Sequence, residues 1–197
     1  MPQAGLFVCY DYPMIIGITG TLGAGKTTAA NYLKSKGFQH FSVRQFIADE
    51  AHRQGLPINR ETLTMVANQI RAQHGPDYIV IKLIEAAKKQ DDPAVIESIR
   101  TVGEAEGLKK HGGYLMAINA NAKLRYERAS LESGITAPQS FEEFIAQEEH
   151  EMHSEDPRKQ NVSAVMLRAD AQILNNGTTL DLEKQIDAFL DQIEQSQ

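Results

Sequence analysis

The 197-residue chain has a single cysteine, Cys9, so it can form no internal disulfide and no cysteine-based zinc site. That fits a reducing compartment, and a cytoplasmic protein is expected. No apolar run approaches the ~18 residues of a membrane span, so no membrane partner is expected. An excess of positive charge is also missing. Lys and Arg number 20 against 26 Asp and Glu, a formal net charge of -6. That balance argues against a general nucleic-acid binder but leaves room for a small basic pocket around one anionic ligand. Internal repeats and low-complexity segments are absent. Residues 1–13, MPQAGLFVCYDYP, lack a basic n-region, and their apolar patch is too short for a signal peptide. They read as a loose extension ahead of Met14, the alternative being an edge strand made by LFVCY.

The remainder has the material for a core. Apolar residues make up 42% of the chain, and charged residues, at 23%, are near the usual share. Residues 14–197 read as one domain. Its first element is informative. IIGIT, at 15–19, is a β-branched apolar run that stops at Gly20. Gly20, Thr21, Leu22, Gly23, Ala24, Gly25, Lys26 and Thr27 then fit G-x-x-x-x-G-K-[ST] at every position, with Thr28 continuing into a helix. Glycines allow the tight turns that bring backbone N–H groups onto phosphate oxygens, and the positive end of the following helix dipole adds to them. Lys26 is placed to reach the outer phosphates and Thr27 to hold Mg2+ through its hydroxyl. The pattern specifies a bound nucleotide such as ATP far better than it specifies a reaction.

Beyond the loop, helical and strand patterns alternate. Helices are expected at 27–36, 43–54, 60–74, 77–89, 102–110, 122–132, 138–153, 162–168 and 180–193. Strands are expected at 38–42, 94–98, 113–120 and 171–175. The fold class is therefore α/β, with a five-stranded parallel sheet covered by helices on both faces. The strand-free stretch 43–90 reads as a helical acceptor-binding insertion, and 125–160 as a lid. Ligands of such sheets sit at the carboxyl ends of the strands, which points to the loops after 19, 42, 98, 119 and 174.

A phosphotransferase needs cations to hold an anionic acceptor and to spread transition-state charge. Arg44 follows the second strand, Arg71 lies on an inserted helix, and Arg100 follows the third strand. These three are the candidate substrate-binding residues, with ordinary surface ion pairs as the alternative. Arg125 and Arg128 share a helix face at i, i+3, and Arg158 follows the long polar helix. With Lys26 and Arg100 they form the candidate catalytic set. Salt bridges to Glu127 or Glu132 are the plain alternative for the 125/128 pair. Glu97 ends the third strand, where an acid can serve Mg2+ or its waters, and a pair with Arg100 is its structural alternative.

The order IGITGTLGAGKTTAA, QIRAQHGPDYIV, VIESIR, INANAKLRYERA, ADAQILNNGTTLDLEKQI resembles that of nucleoside and deoxynucleoside monophosphate kinases. It is especially similar to a branch related to dephospho-CoA kinase, and its glycine loop is also compatible with an AAA-type ATPase. VIESIR stands where that family commonly reads D-G-I-R, so Glu97 and Arg100 match the acid and the arginine, and Ser98 replaces a glycine. The resemblance implies that Asn175, Asn176 and Gly177 close over adenine. It also has departures. FSVRQF, after the second strand, lacks the aspartates of dephospho-CoA kinases, and no acid follows until Asp49. A site with arginines and no obvious base suits an acceptor that already carries an anionic oxygen. The expected activity is ATP-dependent phosphoryl transfer to a nucleoside or deoxynucleoside monophosphate by a monomer or homodimer. Another metabolite kinase and a slow regulatory ATPase are the alternatives. QEEHEMHSED, at 147–156, reads as the solvated face of a lid helix, because its H-E-M-H spacing is not that of a zinc protease.

Overall fold

A computed structural model describes residues 14–131, 140–154, 156 and 159–196. The extension at 1–13, Arg158 and part of the expected lid lie outside them. The chain order is β1 (Ile15–Gly20), α1 (Lys26–Ser35), β2 (Gln39–Ser42), α2 (Val43–Arg53), α3 (Arg60–His74), α4 (Tyr78–Lys88) and β3 (Ala94–Glu97). It continues with α5 (Val102–Lys110), β4 (Tyr114–Asn119), α6 (Ala122–Leu131), α7 (Phe141–Met152), α8 (Val162–Met166), β5 (Ala171–Leu174) and α9 (Thr179–Glu194). The five strands form one all-parallel sheet in the order β2-β3-β1-β4-β5.

Strand periodicity divides the core into two layers. Ile16 and Ile18 face one side, where Met116, Ile118 and Ile173 join Ala29, Ala30 and Leu33 of α1 and Leu182, Ile186 and Phe189 of α9. Ile15 faces the other, with Ile96 and Leu115 under α2 to α5 and Val165 of α8. Gly17 shares that second face, where a methyl group would stand 2.4 Å from a Leu108 methyl, so the absence of a side chain here makes room for α5. Among the described residues no helix is long and apolar enough to cross a membrane.

Boundaries differ from the periodic reading by a few residues, for reasons of capping. The helix expected from 138 is described from Phe141, because the Ser140 hydroxyl accepts the Glu143 N–H (3.1 Å). The last helix starts at Thr179 behind a capping box of Thr178 and Asp181. α8 stops at Met166, earlier than the expected 168. Because β1 lies between β3 and β4, the loop after β1 is flanked by the ends of both neighbours: Ile18 is paired with Glu97 and Gly20 with Ile118.

Candidate active site

The loop between β1 and α1 is held by its surroundings. Gly23 (φ 71°) and Gly25 (φ 96°) take left-handed conformations that side chains rarely adopt. There is no room for a side chain either. A Cβ on Gly23 would lie 2.2 Å from the Arg125 carbonyl oxygen, and one on Gly25 would lie 2.4 Å from the Asn175 amide nitrogen. Gly25 caps α1 with no side chain of its own, so none competes with an anion for the N–H groups of the first turn. Lys26 Nζ donates to the carbonyls of Gly20 (3.1 Å) and Thr21 (2.7 Å), which folds the lysine back over the loop. Thr21 Oγ1 donates to Asn119 Oδ1 (2.8 Å), and Asn175 Nδ2 donates to the Ala24 carbonyl (2.9 Å).

Thr27, exposed at the mouth of the loop, donates its hydroxyl to Glu97 Oε1 (2.8 Å). The second oxygen of Glu97 is 2.9 Å from His40 Nε2. A hydroxyl and a buried carboxylate form a hard-oxygen set that suits Mg2+. The alternative for Glu97, an ion pair with Arg100, is not the arrangement found. Thr28, also exposed, is in the first turn of α1.

Beside Leu22 of the loop opens a pocket walled by α2, α3, the end of β3 and α7. It brings together Arg44, Arg71 and Arg100, the three arginines singled out in the sequence, and adds a fourth, Arg60. Their environments differ. Arg71 is sealed, with Nε and Nη2 both on Glu104 Oε1 (3.2 and 2.8 Å) and side-chain exposures of 2% and 0% for the pair. The other oxygen of Glu104 accepts the backbone N–H groups of Arg100 (3.0 Å) and Thr101 (3.2 Å). Arg44 stands exposed at the start of α2. Arg100 Nη1 donates to Glu151 (2.5 Å) and to Gln160 Oε1 (3.1 Å). Arg60 donates to Gln147 (2.6 Å) and to the same Glu151. Ser98, on the pocket wall, has a left-handed φ of 72°.

Glu151 shows the balance of charge. Burial opposes its ionisation, but the charges of Arg100 and Arg60, hydrogen bonding from Arg60 and the field of Lys26 outweigh it, and its pKa falls below the ordinary glutamate value. A carboxylate therefore lies in the pocket, among arginines for which the sequence showed no obvious base. Within 147–156, expected to be a solvated face, Glu149 and His153 are exposed but Glu148 and Glu151 turn inward. Phe144, Glu148 and Glu151, at i, i+4 and i+7, share the inward face of α7, and Phe144 is fully buried.

The helix pair Arg125 and Arg128 does not act on one target. Arg125 is buried and donates to the carbonyls of Ala120 (2.8 Å) and Leu22 (3.3 Å) and to both oxygens of Glu148. Arg128 Nη1 donates to the Asn175 carbonyl (3.0 Å). Neither pairs with Glu127 among the described residues, and Glu132 lies outside them. Asn176 Oδ1 accepts the Asn121 N–H (2.7 Å), and Gly177 precedes the Thr178 cap of α9. The turn at 175–177 is thus tied to the glycine loop and to the start of α6. His40, Arg60, Glu104, Glu148 and Glu151 were not singled out in the sequence. One left a readable signal: T-x-x-E at 101–104, which holds Glu104, is a capping box.

Residues 16–137 match the AAA domain family. A UPF0200 protein of Methanococcus vannielii is 30% identical over 183 residues, covering 91% of this chain and 92% of its own. A UPF0200 protein of Pyrobaculum aerophilum is 27% identical over 179 residues, covering 89% and 96%. Among solved structures, a Thermus thermophilus protein superposes with a TM-score of 0.64 at 23% identity, over 92% of this chain and 98% of its own. Shikimate kinase from Acinetobacter baumannii in complex with shikimate gives 0.57 at 17% identity, over 91% and 93%. A gluconokinase from Sinorhizobium meliloti gives 0.57 at 14% identity, over 95% and 97%. These superpositions speak to the fold, which is the α/β fold of P-loop NTPases in a kinase-like form.

Proposed function

The chain belongs to the AAA domain family and to the UPF0200 family, and from that premise we propose that it is an ATP-dependent phosphotransferase acting on a small phosphorylated acceptor, a nucleoside or deoxynucleoside monophosphate. ATP would lie with its phosphates on residues 20–27 and its adenine against the turn at 175–177. Thr27 would hold Mg2+, with Glu97 reaching it through water. Bound there, the ion supplies charge neutralisation on the nucleotide phosphates. The single observation that carries the reading is the pocket beside Leu22, where Arg44, Arg60, Arg71 and Arg100 stand with the apolar side chains of Val43, Ile47 and Leu63. The guanidinium groups suit a phosphate and the apolar wall suits a base.

In the transfer, an acceptor phosphate oxygen attacks the γ-phosphorus of ATP. The bond from that phosphorus to the bridging oxygen of the β-phosphate breaks, and ADP leaves. The attacking oxygen is already anionic, so no proton has to be removed. Lys26 stabilises the charge that develops on the outer phosphates. Arg100 and Arg60 orient the acceptor, with Arg44 at the pocket rim, and Arg71 is a fixed cation behind them. Arg125 keeps the loop in shape through Leu22, while Arg128, and Arg158 from outside the described residues, serve the closing of the site.

A specific observation supports a second reading. Glu151 is a carboxylate in the acceptor pocket and could take a proton from a hydroxyl acceptor, as a metabolite kinase requires. Measuring ADP release from ATP and Mg2+ with two acceptor panels separates the two. Stimulation by nucleoside monophosphates supports the first reading. Stimulation only by phosphate-free polyols or hydroxy acids supports the second. A basal rate that no acceptor changes leaves a nucleotide-binding ATPase and removes both.

A further inference from the structure

Glu151 makes the contacts that an acceptor phosphate would make. One of its oxygens accepts from Arg60 of α3 and the other from Arg100 after β3 (2.5 Å), while Gln160 shares Arg100. It stands one residue from the end of α7, and its side chain is 16% exposed, with Arg100 at 22% and Arg60 at 42%. The other glutamate on the pocket's arginines behaves differently. Glu104 is fully buried and accepts from four N–H groups: two of Arg71 and the backbone amides of Arg100 and Thr101. To remove Glu104 from Arg71 would strand a buried charge and open a helix cap. To remove Glu151 would return a carboxylate to nearby water, while α7 stays anchored through buried Phe144 and the Glu148–Arg125 pair one turn earlier.

Resting on the acceptor site proposed above, we propose that Glu151 is an internal counter-anion that sets the acceptor's charge requirement. An incoming phosphate binds by exchange, taking the Arg60 and Arg100 donors from Glu151, and the last turn of α7 is released from the pocket. The exchange is a filter. A phosphate dianion has more charge and more acceptor oxygens than a carboxylate, so it gains from the swap. A neutral hydroxyl acceptor has nothing with which to displace Glu151, and a carboxylate acceptor only trades like for like. Glu151 thus determines specificity without touching the reacting atoms.

The test uses the full chain with the glycine loop saturated by Mg2+ and a β,γ-methylene ATP analogue, so that added anions report on the second site. Inorganic phosphate and nucleoside monophosphates are titrated calorimetrically. Glu151→Gln keeps the shape of the side chain and removes its charge. It should tighten phosphate binding about tenfold, the worth of weakening one charge-assisted competitor. Arg100→Ala should weaken that binding roughly tenfold to a hundredfold. In the unmodified protein, phosphate should speed hydrogen exchange of the amides at 149–152, a readout that stands even if the Gln variant fails to fold. Unchanged or weaker phosphate binding in a folded Glu151→Gln overturns the inference. So does unchanged exchange with phosphate bound, and so does a collapse of kcat at constant acceptor KM, which would make Glu151 a base. Tighter phosphate binding in the variant without acceptor turnover in any form would keep the counter-anion and discard the kinase reading.

Discussion

Under the proposed function, the glycine loop and the pocket beside it would hold the same chemical group by opposite means. The loop offers backbone amides, contiguous in the chain and fixed by two left-handed glycines. The pocket offers guanidinium groups carried by α2, α3 and the turn after β3, and those of Arg60, Arg71 and Arg100 are paired with a carboxylate from another element. Backbone amides need no counter-ion when the ligand is away. Arginines brought together in a protein do, because like charges in a low-dielectric wall repel. The pocket therefore comes with its own anions, Glu104 and Glu151.

The comparison breaks first at Lys26, the loop's one charged side chain. Lys26→Ala should lower turnover at least about a hundredfold, because it removes a cation from the transferring phosphate. ATP affinity should fall less, since the amides remain, and steady-state rates beside calorimetric ATP binding would show it. Near-normal turnover would mean that the loop at 20–27 is not catalytic. On the pocket side, the sealed pair should be a matter of folding. Arg71→Ala leaves Glu104 buried and short of its partner, and a loss of about 3–5 kcal/mol in denaturant-induced unfolding is expected. An unchanged midpoint would show that Glu104 finds other support. The open pair should be a matter of binding. Arg100→Ala should raise acceptor KM roughly tenfold to a hundredfold with little effect on KM for ATP, from the loss of charge-assisted bonds. Lys at this position should rescue only in part, because an ammonium lacks the planar fork. The smallest effect is expected at Ser98. Glycine there relieves a left-handed φ but adds freedom to the unfolded chain, so Ser98→Gly should stabilise by no more than about 1 kcal/mol. A clear loss of stability would show that the hydroxyl matters more than the backbone strain.

The difference between loop and pocket also explains what could be read in advance. The parallel sheet, its flanking helices and the loop were legible because each depends on neighbours in sequence: alternating apolar runs, glycine stops and one contiguous motif. Arg44, Arg71 and Arg100 were legible as candidates because they follow strands or line an inserted helix. Their partners were not. Glu104 looked like part of a helix start, although its capping pattern was there to see. Glu151 lay in a polar stretch whose acids outnumber its apolar residues. Only the burial of Phe144 shows which face of α7 turns inward, and nothing local says that Arg60 will meet that face. Arg125 shows the same limit. Its helix spacing left a salt bridge to Glu127 or Glu132 open beside a role in the pocket, whereas the fold sends it to Leu22 and to α7.

One contact well away from the loop bears on how such a site could change its preference. Gly103 and Gly107, one turn apart on α5, receive Pro76 and Asp77 at the head of α4. A methyl group on Gly103 would stand 2.4 Å from the Pro76 side chain and 3.0 Å from its carbonyl carbon. Those two helices therefore meet with a clearance smaller than one carbon atom. Glu104, the next residue on α5, is the partner of Arg71 on α3, four residues before the Gly75-Pro76 break. A single added methyl at Gly103 would push α4 outward and tilt the helix that bears Arg60 and Arg71. Selection acting on a residue with no side chain could in this way retune the acceptor pocket while every charged group in it stays the same.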